Sequence, residues 1–281
     1  MNSEELMAVS MQKARDYVYA NGVLWERALF AHLFQDAPIE RLHQCVACYR
    51  NADGGFGHAL EHDARTPDSH PLALEYILGV FAQYDLDTGG LFDGAAAWVA
   101  ANTADDGSLR NPPSFLAYPH APWWNAGGQT APDSIAGLLN RFGKATPGIL
   151  ETSQQWVAEH LTLEKIKANE WLFMAYHAVN YFWNVEHVPQ LEAHQQATIE
   201  NIRACLKELP TDQLYTVFQL VPTPGSPLAA HLPQEIIERG LEHLGQSQQT
   251  DGGWPDQHGL THWYPAVTIS NLYALRSFGR L

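Results

Sequence analysis

Asp251-Gly252-Gly253-Trp254 is one of three related turns in this chain, and the other two are Asp53-Gly-Gly-Phe56 and Asp106-Gly-Ser-Leu109. Their aspartates are 53 and then 145 residues apart, close to one and three repeats of about fifty residues. In such a turn the aspartate acts as a cap, the glycine accepts positive φ, and an aromatic side chain fills the gap between neighbouring helical hairpins. This pattern therefore predicts that the turns are structural and that the chain is a repeat protein whose copies have diverged.

The segments around these turns have helical periodicity, and no alternating strand pattern stands out. Residues typical of helix starts and helix ends, together with the helical periodicity, predict about twelve helices. Their expected spans are 3–20, 23–35, 39–51, 69–84, 92–102, 132–143, 148–160, 167–184, 189–208, 211–220, 233–249 and 265–279. The sequence therefore predicts an all-α protein.

The predicted helices are of two kinds. Residues 189–209 have polar side chains along one face, whereas residues 70–84 and 169–183 are apolar nearly all round. The first kind suits an outer layer, and the second suits a helix buried on every side. Six hairpins that alternate in this way predict an (α/α)6 barrel, a toroid of two concentric helix rings, as one domain over residues 1–281.

The composition is that of a globular protein with an acidic surface. The chain has 31 acidic and 16 basic side chains, a net charge of −15, which disfavours nucleic acid as a partner. Its first twenty residues lack the basic and apolar regions of a signal peptide, and we expect a cytoplasmic protein without an integral membrane segment. Of its three cysteines, Cys45 and Cys48 are expected to be small buried side chains of a helix.

The last copy of the turn lies in a longer motif that resembles a known family. Residues 239–254 (RGLEHLGQSQQTDGGW) are similar to the QW repeat of squalene–hopene and oxidosqualene cyclases, and residues 51–74 resemble repeats of protein prenyltransferase β-subunits. Both groups belong to the terpenoid cyclase/prenyltransferase superfamily, whose fold is an α/α toroid. The resemblance implies that fold here. It argues against protein prenyltransferase activity, because Pro265 stands where a zinc-ligating histidine would fall and no Asp-x-Cys pair exists.

A class II terpene cyclase begins its reaction with an Asp-x-Asp-Asp general acid at the start of an inner helix, and this chain has no intact copy. The nearest candidate is Asp68, directly before the predicted helix 69–84, with Glu61 and Asp63 in the same loop. Crowding of carboxylates and burial can raise the pKa of one of them. The loop also holds the candidate substrate-binding residues His58, His62, Arg65 and His70. The alternative for Asp68 is a helix cap alone.

A second candidate region is the aromatic, proline-rich loop over residues 112–128, because long ordered loops commonly cover a site. Trp123 and Trp124 are expected to form an aromatic wall with His262, Trp263 and Tyr264. The alternative is a hydrophobic plug without a ligand. Arg65 and Arg110 lie in two loops that would have to converge, which makes a weak diphosphate site.

We expect the chain to bind a hydrophobic isoprenoid in its barrel and to cyclise it after protonation, with no cofactor and no metal. The histidines and carboxylates of residues 58–70 are numerous enough for a metal, but they lack a fixed ligand spacing. Two other functions stay open. One is a carbohydrate-active hydrolase or lyase that uses Asp63, Asp68, His258 and Trp263. The other is a binding or scaffold protein without catalysis.

Overall fold

The computed structural model describes residues 9–125 and 128–281, and helices dominate these two ranges. In chain order they are α1 (Met11–Asn21), α2 (Leu24–Gln35), α3 (Ile39–Ala47), α4 (Pro71–Gln83), α5 (Ala95–Asn102), α6 (Asp133–Arg141), α7 (Pro147–His160), α8 (Leu163–Lys167), α9 (Leu172–Phe182), α10 (Leu191–Glu208), α11 (Val217–Leu220), α12 (Gln234–Gln246) and α13 (Tyr264–Ser277). Short 3-10 helices span Phe115–Ala117, Pro122–Trp124, Thr211–Thr216 and Ala229–His231. The predicted all-α class is confirmed.

The helices lie close to their predicted positions, with three differences. The first predicted helix begins at residue 3, but residues 3–8 lie outside the described residues. The short helix α8 is not predicted as a separate element, and residues 211–216 are 3-10 rather than α-helical. Among the described residues a single sheet occurs, in which β1 (Leu109–Arg110) pairs antiparallel with β2 (Gln129–Thr130). Residues 9–125 and 128–281 contain no helix with the length and apolar character needed to cross a bilayer.

The chain divides into two compact units. The terminal unit consists of the described residues up to Cys45 together with Arg203–Leu281, and the central unit runs from Val46 to Ile202. Within the central unit α6 packs against α4, α7 and α9, and within the terminal unit α13 packs against α1, α2 and α12. One domain over residues 1–281 stays a prediction.

The three Asp-Gly turns have the same local geometry. In each, the aspartate Oδ1 accepts a hydrogen bond from the backbone N–H two residues later, at 2.9 Å for Asp53 and 3.0 Å for Asp106 and Asp251. The next residue is a glycine with positive φ, and the fourth residue of each turn is buried. Trp254 is further fixed by its indole N–H, which donates to the Leu244 carbonyl at 3.0 Å. The predicted aspartate hydrogen bond and positive-φ glycine are therefore present in all three turns, whereas the buried fourth residue is aromatic only at Phe56 and Trp254.

Helices α4, α6 and α13, which follow these turns, are among the most buried helices of the described chain. Eight residues of α4, seven of α6 and eight of α13 are buried, compared with three of α1 and four of α12. This difference agrees with the two kinds of helix that the sequence predicts. The prediction for the cysteines is half wrong, because Cys45 is buried but Cys48 is exposed at the end of α3.

Gly252 gives a test of the turn geometry. Its φ is +99°, and an added Cβ would overlap the backbone of Lys13, whereas Gly259 has φ +68° and open space around it. Gly252→Ala is expected to lower the free energy of unfolding by about 3 kcal/mol or more, because strain and overlap add. Gly259→Ala carries the strain alone and is expected to cost about 1 kcal/mol. Urea unfolding followed by circular dichroism measures both, and equal losses would contradict this account.

Candidate functional site

Two loops of the central unit, which precede α4 and α6, are tied together by hydrogen bonds. Between their backbones, Arg65 N–H donates to the Pro119 carbonyl at 3.0 Å, and Ala121 N–H donates to the Asp63 carbonyl at 2.8 Å. Ser114 adds side-chain contacts, because its hydroxyl donates to Asp68 and lies 3.1 Å from that of Thr66. Residues 57–70, the acidic loop, and the aromatic loop that begins at residue 112 are therefore held side by side by these hydrogen bonds.

The backbone of the acidic loop is strained at two neighbouring residues, shortly before the buried carboxyl group of Glu61. His58 and Ala59 have φ of +57° and +60°, a region that side chains other than glycine rarely occupy. At Gly57 a Cβ would overlap the carbonyl groups of Pro67 and Asp68, so the two ends of the loop approach closely. Strain of this kind persists only where surrounding contacts enforce it, and it concentrates at functional sites.

Glu61 is the buried carboxyl group of this loop. Only 8% of its surface is exposed, and its Oε2 accepts a hydrogen bond from the Asp63 N–H at 2.9 Å. Burial raises the pKa of Glu61 well above its usual range, and the charges of Asp63 and Glu75 raise it further. Glu61 therefore holds its proton more strongly than an ordinary carboxylic acid.

Three helices contribute further titratable groups, of which Glu75 and Tyr176 interact electrostatically with Glu61. Glu75 lies on α4, Asp133 is the first residue of α6, and Tyr176 and His177 lie on α9. The Nδ1 atom of His177 lies 3.1 Å from Asp133 Oδ1 and 3.5 Å from Glu75 Oε1. We call Glu61, Glu75, Asp133, Tyr176 and His177 the acidic cluster.

The backbones of α6 and α9 approach so closely that the cluster residues meet. At Gly137 a side chain would overlap the carbonyl group of Asn180, so only glycine fits this contact. One turn earlier on both helices, Asp133 faces His177. Between these two points the Asn180 amide donates to the Ser134 hydroxyl at 2.9 Å. The glycine contact thus sets the distance at which Asp133 and His177 pair.

The electrostatics of the cluster favour a proton on every group whose pKa shifts. Burial alone would lower the pKa of His177, but the charges of Glu75 and Asp133 and the hydrogen bond to Asp133 raise it to about 9. Burial raises the pKa of Glu75, although His177 opposes this shift. Tyr176 is half-buried, and its pKa is well above its usual range because its hydroxyl is desolvated and lies near the charges of Glu75 and Asp133.

Two oxygen atoms of the cluster are buried without a hydrogen-bond partner among the described residues, although one of them, Glu75 Oε1, lies 3.5 Å from the Nδ1 atom of His177. They are Glu75 Oε1 and Asp133 Oδ2. Buried polar atoms in native proteins nearly always have partners, so each exception calls for a reason such as a ligand or an ordered water molecule. The cluster can therefore accept hydrogen bonds from a polar group and can hold or release protons.

Asp68, the first candidate for the acid, is placed differently from Glu61. Its side chain is exposed and accepts a hydrogen bond from Ser114. The expectation that it caps the next helix is wrong, because α4 begins at Pro71 and its N-cap is His70, whose Nδ1 accepts from Ala73 N–H at 3.4 Å. The cap lies two residues further along the chain because Pro71 suits the first helical position.

Other candidates of this loop lie at different depths. His58 and Arg65 are exposed, and the ring of His58 lies 2.8 Å from the side-chain oxygen of Asn51. Asp63 and His62 are half-buried, and the ring of His62 is centred 6.2 Å from that of Tyr76. The structure thus brings Asp63 next to Glu61 and leaves Arg65 at the surface.

His70 and the aromatic loop form a separate apolar patch. Burial lowers the pKa of His70 to about 4, so its ring is neutral at physiological pH. Phe115 packs edge-on against this ring at 5.5 Å, and Trp124 packs edge-on against Phe115 at 6.2 Å. The Nε2 of His70 and the Nε1 of Trp124 are buried without a hydrogen-bond partner among residues 9–125 and 128–281. Half of the Trp123 side chain is exposed.

The predicted aromatic wall draws its residues from both units. Trp123 and Trp124 belong to the central unit, whereas His262, Trp263 and Tyr264 lie at the start of α13 in the terminal unit. The wall therefore stays a prediction. The side chains of His262, Trp263 and Tyr264 are all half-buried.

Four members of the acidic cluster are missed by the sequence reasoning, although a signal exists. Glu75 is the single acidic or basic residue of α4, His177 is that of α9, and Asp133 begins a third buried helix. A charged residue in such a helix is buried with it and needs a partner of opposite charge. A search for an oppositely charged partner of each such residue on another helix would have predicted that His177 faces a carboxylate.

In the stretches of chain that the structure describes, no group of three histidine, cysteine, aspartate or glutamate side chains is arranged to hold a metal ion. The hypothesis of a metal site in residues 58–70 therefore has no such group in support. What points to a site is the geometry of this chain itself: strain before Glu61, buried carboxyl groups and a charged histidine between them. No protein-family model, curated protein or solved structure matches the chain.

Proposed function

We propose that this protein is an enzyme that protonates a hydrophobic isoprenoid and cyclises it, with Glu61 as the general acid. The single observation that carries the proposal is the burial of Glu61 beside Asp63 and Glu75, which raises the pKa of its carboxyl group and so favours the protonated acid. The resemblance to terpenoid cyclases supports both the substrate class and an (α/α)6 toroid of about twelve helices. The alternation of more and less buried helices further supports the toroid.

The reaction would begin when neutral Glu61 transfers its proton to the double bond of an alkene or to the oxygen of an epoxide. Electrons of a neighbouring double bond would then form the new ring bond, and the faces of Tyr76 and Tyr176 are candidates to stabilise the cation. Loss of a proton from the cyclic cation to a carboxylate of the cluster would end the reaction. Substrate and product are isomers, so the proton that Glu61 gives up is balanced by the one that the cluster carboxylate takes.

Glu61→Gln tests this assignment, because glutamine keeps the shape of the side chain and cannot donate the acidic proton. Turnover of linear polyprenes, their terminal epoxides and their diphosphates is followed by gas chromatography and mass spectrometry. We expect Glu61→Gln to lower kcat by about a thousandfold, within the range for loss of general acid catalysis. Asp68→Asn is the matched control and should change kcat less than about threefold, because Asp68 is exposed and its hydrogen bond runs to Ser114 rather than to the cluster.

Two outcomes would contradict the proposal. If Asp68→Asn abolishes turnover and Glu61→Gln does not, the acid is assigned to the wrong residue. If the wild-type protein converts none of these substrates, the isoprenoid function is wrong, whichever residue is protonated. Circular dichroism of both variants shows whether a loss of activity is a loss of fold.

One observation favours a second candidate, a carbohydrate-active hydrolase or lyase. Half of the Trp123 side chain is exposed, and a flat indole face of this kind can bind sugar rings. Trp123 lies in the aromatic loop, which is hydrogen-bonded to the acidic loop. Glu61 and Asp63 would then be the pair of carboxyl groups that such enzymes use. Release of reducing ends from a panel of polysaccharides, with loss of that activity in Glu61→Gln and Trp123→Ala, would support this function over cyclisation.

A further inference from the structure

Asn51 lies in the first Asp-Gly turn and contacts both ends of the acidic loop. Its side-chain amide donates to the Pro67 carbonyl and to the Ser69 hydroxyl, both at 3.0 Å. Its side-chain oxygen accepts a hydrogen bond from His58 Nε2 at 2.8 Å, because an amide oxygen can only accept. One side chain thus joins the beginning of the acidic loop to its end.

The turn itself does not require an asparagine at this position. The residue two places before the turn aspartate is Asn51 in the first turn, Ala104 in the second and Gln249 in the third. In all three turns its N–H donates to the carbonyl of the residue four places later, at 2.7–2.9 Å, and its carbonyl accepts from the turn glycine at 2.9–3.1 Å. The side chain of Asn51 therefore serves the acidic loop rather than the turn, and alanine is compatible with the backbone of such a turn.

The hydrogen bonds of Asn51 hold the strained part of the loop in place. His58 has a φ of +57°, and its N–H donates to the Thr66 carbonyl at 2.9 Å, from one end of the loop to the other. Ser69, which accepts from Asn51, donates in turn to Asp53 at 2.8 Å. Strained backbone persists only where surrounding contacts enforce it, and Asn51 supplies such contacts at both ends of the loop.

The burial of Glu61 depends on this closed loop. Glu61 lies between the two ends that Asn51 joins, and only 8% of its surface is exposed. If the ends separated, water would reach the carboxyl group and would stabilise its ionised form. We propose that Asn51 is a positioning residue for Glu61, because it closes the acidic loop around this carboxyl group. This role rests on the function proposed above, in which buried Glu61 is the general acid.

Asn51→Ala tests this role in the full chain, with the proton affinity of Glu61 as the readout. The carboxyl signal of Glu61 is followed against pH in ¹³C spectra of glutamate-labelled protein, and Glu61→Gln identifies the signal by its loss. We expect Asn51→Ala to weaken proton binding by Glu61 about tenfold, because the carboxyl group gains water. Hydrogen exchange at the His58 N–H should become faster, because the same opening breaks its hydrogen bond to Thr66.

Asn169→Ala is the matched control, because Asn169 is another asparagine of the central unit whose side chain joins separate segments. Its side chain is hydrogen-bonded to Trp171 and Asn201 at 2.8–3.2 Å. This variant should lose stability and keep the proton affinity of Glu61. The positioning role is wrong if Asn51→Ala leaves that affinity unchanged, or if Asn169→Ala lowers it by as much as Asn51→Ala does.

The titrations need no substrate, so they separate a failure of this role from a failure of the proposed function. If the wild type converts no isoprenoid but Asn51→Ala weakens proton binding by Glu61, the function is wrong and Asn51 still closes the loop around Glu61. If the wild type is active and Glu61 titrates alike in both proteins, the role of Asn51 is wrong and the function stands. Where turnover is measured, the fall of kcat with rising pH should begin at a lower pH in Asn51→Ala.

Discussion

His177→Leu is expected to lower the free energy of unfolding by about 3–5 kcal/mol at pH 7, because it leaves the carboxyl groups of Glu75 and Asp133 buried without their positive partner. The Nδ1 atom of His177 lies 3.1 Å from Asp133 and 3.5 Å from Glu75, and all three side chains are buried. Urea unfolding measures the change. His231→Leu is the control, because His231 is an exposed histidine and its loss should cost less than about 0.5 kcal/mol.

The same pair of histidine and carboxyl groups predicts the pH dependence of the wild-type protein. His177 has a pKa of about 9 when folded and an ordinary value of 6.5, so its stabilising effect is complete below pH 6.5 and is lost as the pH rises through 9. The corresponding loss is on the order of 3 kcal/mol. Glu61 and Glu75 act in the same direction, because their raised pKa values mean that the folded protein holds protons that the unfolded chain releases above about pH 4.5.

Stability of His177→Leu should therefore fall less steeply between pH 6.5 and 9 than that of the wild type. Adding Glu75→Gln to His177→Leu should restore some of the lost stability, since it removes one of the two uncompensated carboxyl groups. If the stability of His177→Leu depends on pH in the same way as that of the wild type, His177 is not charged in the folded protein. A double variant that is less stable than His177→Leu would show that Glu75 is stabilised by some other group.

The helices and turns are predictable from the sequence because their signals are local. Periodicity predicts twelve helix positions, and Asp53, Asp106 and Asp251 each identify a turn whose hydrogen bonds involve only the next few residues. Helix ends are less certain, as at Pro71, where neighbouring residues compete to be the cap. Local chemistry decides all of these features, so one sequence suffices for them.

The acidic cluster is only partly predictable, because it depends on contacts between distant segments. Glu61 and Asp63 are identified from their own loop, but Glu75, Asp133 and His177 are successively 58 and 44 residues apart in the sequence and meet only when α4, α6 and α9 pack. Asp68 looks equivalent to Glu61 in the sequence. The two residues differ in burial, because Glu61 is buried and Asp68 is exposed. Burial depends on how residues 57–70 fold against the rest of the central unit, which the sequence of the loop does not show.

Gly137 is the position where packing and the candidate site depend on each other most directly. An added methyl group would overlap the Asn180 carbonyl, and the nearest atoms there are backbone atoms that cannot move aside as a flexible side chain could. Gly137→Ala is therefore expected to lower the free energy of unfolding by about 3 kcal/mol or more, although alanine favours helices over glycine by about 1 kcal/mol. Gly79→Ala on α4 has open space around its Cβ and should be neutral or slightly stabilising.

Gly137→Ala should also change the pH profile, which separates it from an ordinary packing defect. If α6 and α9 are forced apart, Asp133 moves away from His177, the pKa of His177 falls, and the loss of stability between pH 6.5 and 9 becomes smaller. A variant that is destabilised equally at every pH would show that the pairing survives and that Gly137 serves packing alone. A variant as stable as the wild type would mean that α6 and α9 do not approach as closely as described.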